Sequence, residues 1–84
     1  MDTRNAVKDF IIRNFLFGDE SGLTSDSVSL LDSGIMDSIG VMELVSFLEI
    51  DMKLEVPDTD LVPENLDSVD NLVGYINRRQ ETRP

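Results

Sequence analysis

Apolar side chains recur at the spacing of an α-helix in three segments of this chain, and this repeat limits the fold more than any other feature. The segments span residues 3–15, 38–53 and 69–79. In each of them the large hydrophobic residues fall at positions such as i, i+3 and i+4, which places them on one face of a helix. The pattern predicts an all-α fold, a small helical bundle.

The ends of these segments carry residues that are typical of helix boundaries. Thr3 is predicted to cap the first helix and Ser68 the last one, while Gly18 stops the first helix after its final turn. Pro63 stands near the start of a fourth segment, residues 63–66, which is predicted to form one turn of helix. We therefore expect a four-helix bundle of three main helices and one short helix.

The segment at residues 38–53 is the clearest helix, and its apolar residues divide between two faces. With successive residues turned by about 100°, one set faces the core. That set consists of Val41, Leu44, Val45, Leu48 and Met52. Ile39, Met42 and Ile50 point away from the core, and Phe47 falls between the two faces without an assignment.

A long connection, residues 18–37, joins the first two helices. Six large apolar residues interrupt its polar sequence, namely Leu23, Val28, Leu30, Leu31, Ile35 and Met36. A mobile linker would not need them, so we expect an ordered loop that packs on the core and includes one short helical turn. Its acidic residues Asp19, Glu20 and Asp26 are expected to be solvated.

The size of the chain and its missing residue types limit what it can do. Its 84 residues, 40% of them hydrophobic, suffice for one modest core. We expect a single domain over residues 1–84, with its core at about 3–79 and a frayed tail at 80–84. Because the sequence contains neither Cys nor His, disulfides, thiolate zinc sites and Ser-His or Cys-His catalytic pairs are excluded. These absences argue against an enzyme.

The charge of the chain limits its partners. Seventeen acidic and seven basic residues give a net charge of −10. Such a charge repels nucleic acid and anionic membranes and favours basic protein surfaces. The apolar runs are no longer than triplets, so no secretory signal or membrane-spanning segment is predicted. We expect a cytoplasmic monomer that neither binds nucleic acid nor inserts into a membrane.

The most specific motif lies where the helix at residues 38–53 begins. Asp37, Ser38 and Ile39 open this helix, and Glu43 and Leu44 follow within it. This arrangement resembles the prosthetic-group attachment site of the acyl carrier protein and peptidyl carrier protein family. The resemblance extends over nearly the whole chain.

What the resemblance implies is a chemical group attached to the protein rather than a reaction performed by it. A phosphopantetheinyl transferase would move 4′-phosphopantetheine from coenzyme A to the hydroxyl of Ser38, which makes the chain a phosphoprotein. The thiol of that arm would carry cargo as a thioester in fatty acid, polyketide or nonribosomal peptide biosynthesis. Asp37 can cap the helix, and the resemblance implies that it also helps to recruit the transferase and its metal.

The resemblance also implies further partners for the chain. They are an acyl- or aminoacyl-loading ligase and downstream transferase or synthase enzymes with basic docking patches. The apolar strip next to Ser38, rimmed by carboxylates, is predicted to be their docking surface. The predicted docking residues are Ile39, Met42, Glu43, Ser46, Glu49 and Ile50. The alternative for this strip is the scattered apolar surface that is normal on a small protein.

Simpler interpretations compete with attachment at Ser38. A serine in this position is often a plain helix cap. Ser33 also follows an aspartate, but Gly34 comes next and the sequence there is typical of a turn, so Ser38 is preferred. An unmodified acidic module for protein–protein interaction is the alternative function.

The subclass within the family is predicted from departures near the motif. Gly40 and Ile50 stand where the fatty-acid type has polar or acidic residues, so the chain looks closer to D-alanyl and stand-alone specialised carriers. The cargo, a fatty acyl, polyketide or amino acid group, stays open.

An acidic stretch later in the chain resembles part of a calcium loop. Asp58, Thr59, Asp60 and Glu64 lack the Gly and the Asp/Asn ladder of an EF-hand. We expect a solvated turn here and no specific metal site; the alternative is weak, nonspecific binding of divalent ions.

Overall fold

The computed structural model describes residues 2–81, which form four α-helices joined by loops. In chain order the helices are α1 (Thr3–Phe15), α2 (Ser38–Ile50), α3 (Pro63–Leu66) and α4 (Val69–Glu81). One-turn 3₁₀ helices at Glu20–Gly22 and Asp58–Asp60 lie in the connections. The predicted all-helical bundle is confirmed. None of the helices in this described range is long and apolar enough to cross a membrane.

The first helix begins at Thr3 as predicted, but its N-cap lies one residue before the predicted cap. Asp2 precedes α1 as its N-cap residue, without a capping hydrogen bond from its side chain, so the prediction of Thr3 as the cap was wrong. Ser68 does cap α4, because its Oγ accepts a hydrogen bond from the amide of Asn71 at 3.0 Å. The last helix extends to Glu81, past the predicted end at Arg79, and residues 82–84 of the predicted tail lie outside the described range.

Helices α1 and α2 end in the same way. Phe17 and Lys53 adopt left-handed backbone angles, with φ of 55° and 56°. The next amide then donates back to the helix, from Gly18 to the Ile12 carbonyl at 2.9 Å and from Leu54 to the Leu48 carbonyl at 3.1 Å. The left-handed turn at Lys53 follows the end of α2 at Ile50, which is earlier than the predicted end near residue 53.

The core joins the apolar faces of the three long helices to the first loop. Eight side chains are fully buried, namely Val7, Ile11, Leu30, Leu44, Leu48, Val69, Leu72 and Ile76. The predicted core face of α2 is confirmed for its central residues. Val41 and Met52 are only half-buried, and Met52 lies beyond the last turn of α2.

Aromatic rings and a glycine hold α1 against α2. Phe47, which helical spacing left unassigned, stacks on Phe10 with 4.4 Å between ring centroids, and Phe15 meets the edge of Phe10 at 5.7 Å. A Cβ added to Gly40 would lie 2.9 Å from Cγ of Met36 and 3.0 Å from Cε1 of Phe15. A larger residue at position 40 would therefore force the side chain of Met36 or Phe15 to shift.

The first loop is ordered by contacts with the junction between α3 and α4. The carboxylate of Asp67 accepts hydrogen bonds from Ser29 Oγ at 2.6 Å and from the Leu31 amide at 2.9 Å. The Asp67 carbonyl accepts a third from the Leu30 amide at 2.7 Å. With Leu30 and Met36 buried, the prediction of an ordered loop is confirmed, although the Leu31 side chain stays 39% exposed.

Asp26 was predicted to be solvated, but it forms ion pairs with two basic residues. Its carboxylate pairs with Lys8 at 3.1 Å and with Arg4 at 2.7 Å, and Arg4 also contacts Asp70 at 2.6 Å. Hydrogen bonds from Lys8 and Arg4 hold the pKa of Asp26 below its usual value. The partners lie far apart in the chain, so the sequence did not reveal them. Asp19 is exposed as expected, and its side chain caps the first 3₁₀ turn through the Ser21 amide.

The turn at Asp58–Asp60 has a structural role rather than being simply solvated. Asp60 accepts a hydrogen bond from the Tyr75 hydroxyl at 2.7 Å, and its carbonyl accepts one from the side-chain amide of Asn65 at 3.0 Å. These bonds tie the turn to α3 and α4. Residues 2–81 contain no group of three or more acidic side chains arranged to hold a metal ion.

The packing at Gly40 predicts a matched pair of stability changes. Gly40→Val should lower the free energy of unfolding by about 1–3 kcal/mol, because its side chain would overpack the contact with Phe15 and Met36. Gly74→Val is the control, since a Cβ there would meet only Nη1 of Arg78, at 3.4 Å. Thermal unfolding followed by circular dichroism checks both variants. Equal melting temperatures for the two would contradict the packing role of Gly40.

The environment of Tyr75 predicts an unusual titration. Burial and the hydrogen bond to Asp60 raise the pKa of Tyr75 to about 12. This is the single Tyr of a chain without Trp, so phenolate absorbance reports it alone. We expect a midpoint near 12 in the folded protein and near 10 in urea. Because the folded pKa is the higher one, this stabilisation is complete below about pH 10 and is lost as the pH rises through 12. A folded-state midpoint near 10 would refute the assignment.

Candidate functional site

The start of α2 is set by the side chain of Asp37. This residue is extended, with φ of −118° and ψ of −172°, and its carboxylate accepts a hydrogen bond from the Gly40 amide at 2.8 Å. Asp37 is thus the N-cap, and Ser38 is the first helical residue. Ser38 is therefore not the capping serine of the simpler interpretation.

The hydroxyl of Ser38 is exposed and makes no hydrogen bond within residues 2–81. It lies at the N-terminus of a 13-residue helix, where the helix dipole favours negative charge. The amide of Gly40 bonds the Asp37 carboxylate and that of Val41 bonds the Asp37 carbonyl, whereas the first two amides have no acceptor in the described range. The residues present therefore fit a phosphate ester on Ser38.

The competing serine has a different environment. Ser33 lies in the first loop, where its Oγ is 3.4 Å from both the Leu30 carbonyl and the Ile35 amide. Gly34 follows with a φ of 80°, a left-handed conformation that glycine adopts without strain. Ser33 belongs to a turn and not to a helix start, in agreement with the interpretation of the sequence.

The side chains predicted for docking share one exposed side of α2. Ile39 is 72% exposed, Met42 59% and Ile50 73%. Glu43, Ser46 and Glu49 are exposed as well. Neither glutamate forms an ion pair with a residue of the described chain. This side of α2 is therefore an apolar strip with unpaired negative charge, and it begins beside Ser38.

Phe17 is a candidate functional residue that sequence reasoning missed. Its side chain is 96% exposed, and its left-handed backbone costs a residue with a Cβ roughly 1–2 kcal/mol. Periodicity could not find it because it follows the last turn of α1. The signal in the sequence was an aromatic residue directly before Gly18, where the helix was predicted to stop.

A shallow groove of about 300 Å³ separates Phe17 from the start of α2. Phe17 and Ile39 lie on its walls, and Phe15 and Gly40 also line it. Asp37 and Glu43 contribute carboxylates to its lining, which contains no Lys or Arg. The groove is thus a partly apolar depression with negative charge in its lining, and it borders both neighbours of Ser38.

Comparisons with known proteins identify relatives over most of the chain. No protein-family model matches the sequence. The chain is 34% identical over 71 residues to proteins of Clostridium perfringens named "Acyl carrier protein", covering 84% of this chain and 90% of theirs. It is 31% identical over 68 residues to "Probable acyl carrier protein PigG" of a Serratia species, covering 81% of this chain and 77% of that protein.

The relatives and the helical fold agree with the resemblance carried by the motif at Ser38. The identity exceeds 30% over more than four-fifths of the chain, and most of each relative is covered. Members of this family carry acyl groups between enzymes and have no catalytic activity of their own. The chain therefore belongs to the acyl carrier protein family.

Proposed function

We propose that this chain carries acyl or aminoacyl groups on a 4′-phosphopantetheine arm attached to the hydroxyl of Ser38. The observation that carries the proposal is the cap of α2. Asp37 makes the capping bond, so Ser38 is left exposed and without a structural hydrogen bond. The attached group would supply the thiol that holds the cargo as a thioester.

The residues around Ser38 would have separate tasks. The cap bond fixes the direction of the first turn of α2, and the unpaired amides of that turn would be available to a phosphate ester on Ser38. Asp37 would also mark the site for the transferase. Its carboxylate accepts the capping hydrogen bond from the Gly40 amide.

The exposed side of α2 would be the docking surface for the transferase, the loading ligase and the downstream enzymes. Apolar contact with Ile39, Met42 and Ile50 would provide affinity. Glu43 and Glu49 would steer basic patches towards Ser38, with Ser46 between them. The net charge of −10 disfavours self-association, so we propose a monomer. We also propose that it acts in the cytoplasm, as is typical of its acyl carrier protein relatives.

The cargo class remains a proposal based on the sequence. Gly40 and Ile50 favour a specialised carrier for a dedicated pathway over a carrier for standard fatty-acid synthesis. The glycine at position 40, where the fatty-acid type has a polar or acidic residue, has a structural reason, because it packs closely against Phe15. A loading assay with fatty acyl and amino acid substrates would separate the cargo classes.

Attachment at Ser38 predicts a change of mass. When the chain is incubated with coenzyme A and a phosphopantetheinyl transferase of broad specificity, intact-mass spectrometry should show the gain of one phosphopantetheinyl group. Ser38→Ala should abolish the gain while keeping the helical circular dichroism spectrum, because alanine suits the first turn of a helix. Ser33→Ala is the matched control and should be modified normally. An unmodified wild-type chain would favour the alternative, an unmodified interaction module.

The acidic rim of α2 predicts slower modification after charge reversal. Glu43→Lys combined with Glu49→Lys should raise the KM of the same transferase about 10-fold or more at low salt, and added salt should shrink the difference. Glu55→Lys combined with Glu81→Lys changes the net charge equally outside α2 and should have a much smaller effect. Both variants should melt close to the wild type, since all four residues are exposed. Equal KM values for the two double variants would argue against docking on α2.

A further inference from the structure

Phe17 is the most exposed large apolar side chain within residues 2–81. Its ring is 96% exposed, and the residue holds a left-handed φ of 55° that glycine or asparagine adopts more easily. At the equivalent end of α2 this conformation belongs to Lys53, whose charged side chain is solvated. A phenylalanine at position 17 therefore contributes neither to the core nor to an easier turn, so folding does not account for it.

The ring of Phe17 forms one wall of the groove beside α2. Ile39, 72% exposed, also lines the groove, together with Phe15, Ile35 and Gly40, while Asn14 adds a polar side chain. The volume of about 300 Å³ lies at the small end of the range for ligand pockets and suits one large side chain better than an extended ligand. The groove therefore has room for a single large side chain.

The charges around the groove indicate what kind of molecule enters it. Asp37 and Glu43 contribute to its lining, and no cationic residue does. An apolar group that carries negative charge would be repelled here. An apolar side chain flanked by Lys or Arg on a partner protein would complement both the apolar part of the lining and its negative charge.

The location of the groove indicates which partner covers it. Asp37 and Ile39, the two neighbours of Ser38, both line it. An enzyme that encloses the Ser38 hydroxyl therefore lies directly beside the groove. We propose that the transferase that modifies Ser38 docks across this groove, placing a large apolar side chain flanked by basic residues between Phe17 and Ile39. The proposal rests on the proposed function and extends its docking surface from α2 to the end of α1.

The test measures transfer to Phe17→Asn with the broad-specificity transferase and coenzyme A. Asparagine tolerates the left-handed backbone, so this variant should fold and melt at or above the temperature of the wild type. Without the ring of Phe17, the KM for the carrier should rise about 10-fold with kcat nearly unchanged, because aromatic side chains that become buried at an interface contribute strongly to binding. Phe17→Leu keeps an apolar wall and should recover most of the loss.

Leu31→Asn is the control variant. It removes another exposed apolar side chain, one that does not line the groove, and should leave the KM unchanged. If wild type and Phe17→Asn share the same KM, the groove is not a docking site, even though modification of Ser38 by itself still supports the carrier function. If the wild-type chain is never modified, both the proposed function and this inference are wrong.

A second measurement separates the partner from the attached arm as the occupant. Amide chemical shifts of residues 14–17, 35–40 and 43 are compared between the unmodified and modified chain, and again after adding transferase to the unmodified Ser38→Ala variant. We expect the transferase to shift the resonances of the groove and the modification to affect mainly residues next to Ser38. Shifts throughout the groove on modification alone, with an unchanged KM for Phe17→Asn, would assign it to the arm and overturn the proposal.

Discussion

The hydrogen bond between the Asp37 carboxylate and the Gly40 amide is the contact on which the site depends. It fixes where α2 begins, and the helical repeat then determines where the following side chains point. Ser38 lies at the exposed first position, Ile39 points to solvent, and Gly40 turns inward against Phe15. A cap one residue earlier or later would rotate this sequence of exposed and buried positions, so the cap and the site form one structural unit.

Two groups of acidic residues differ in how they are paired. Those beside the first loop and α4 are paired internally, with Asp26 bound to Lys8 and Arg4 and with Asp67 bound to the loop. Those on the exposed side of α2 have no cationic partner in the described range. The negative charge on this side of α2 is therefore not neutralised by the described chain, while the paired carboxylates hold the loop that leads into α2.

The sequence predicted those parts of the structure that depend on local spacing. The three long helices, the one-turn helix at residues 63–66 and the outward direction of Ile39 follow from a repeat of a few residues. The partners of Asp26, the bond from Tyr75 to Asp60 and the contact of Gly40 with Phe15 join distant segments, and no local pattern encodes them. Phe17 was missed because it lies just past a helix end, where periodicity stops.

Exposed apolar side chains near Ser38 create a conflict between recognition and solubility. An apolar strip on a small protein favours self-association as well as binding to enzymes. The net charge of −10 resolves this conflict, because two copies repel each other while a basic partner is attracted to the same strip. Glu43 and Glu49 place part of this negative charge directly beside the strip. In the proposed function, the acidity of the chain would therefore help to select its partners, because it would keep an apolar docking surface selective for cationic proteins.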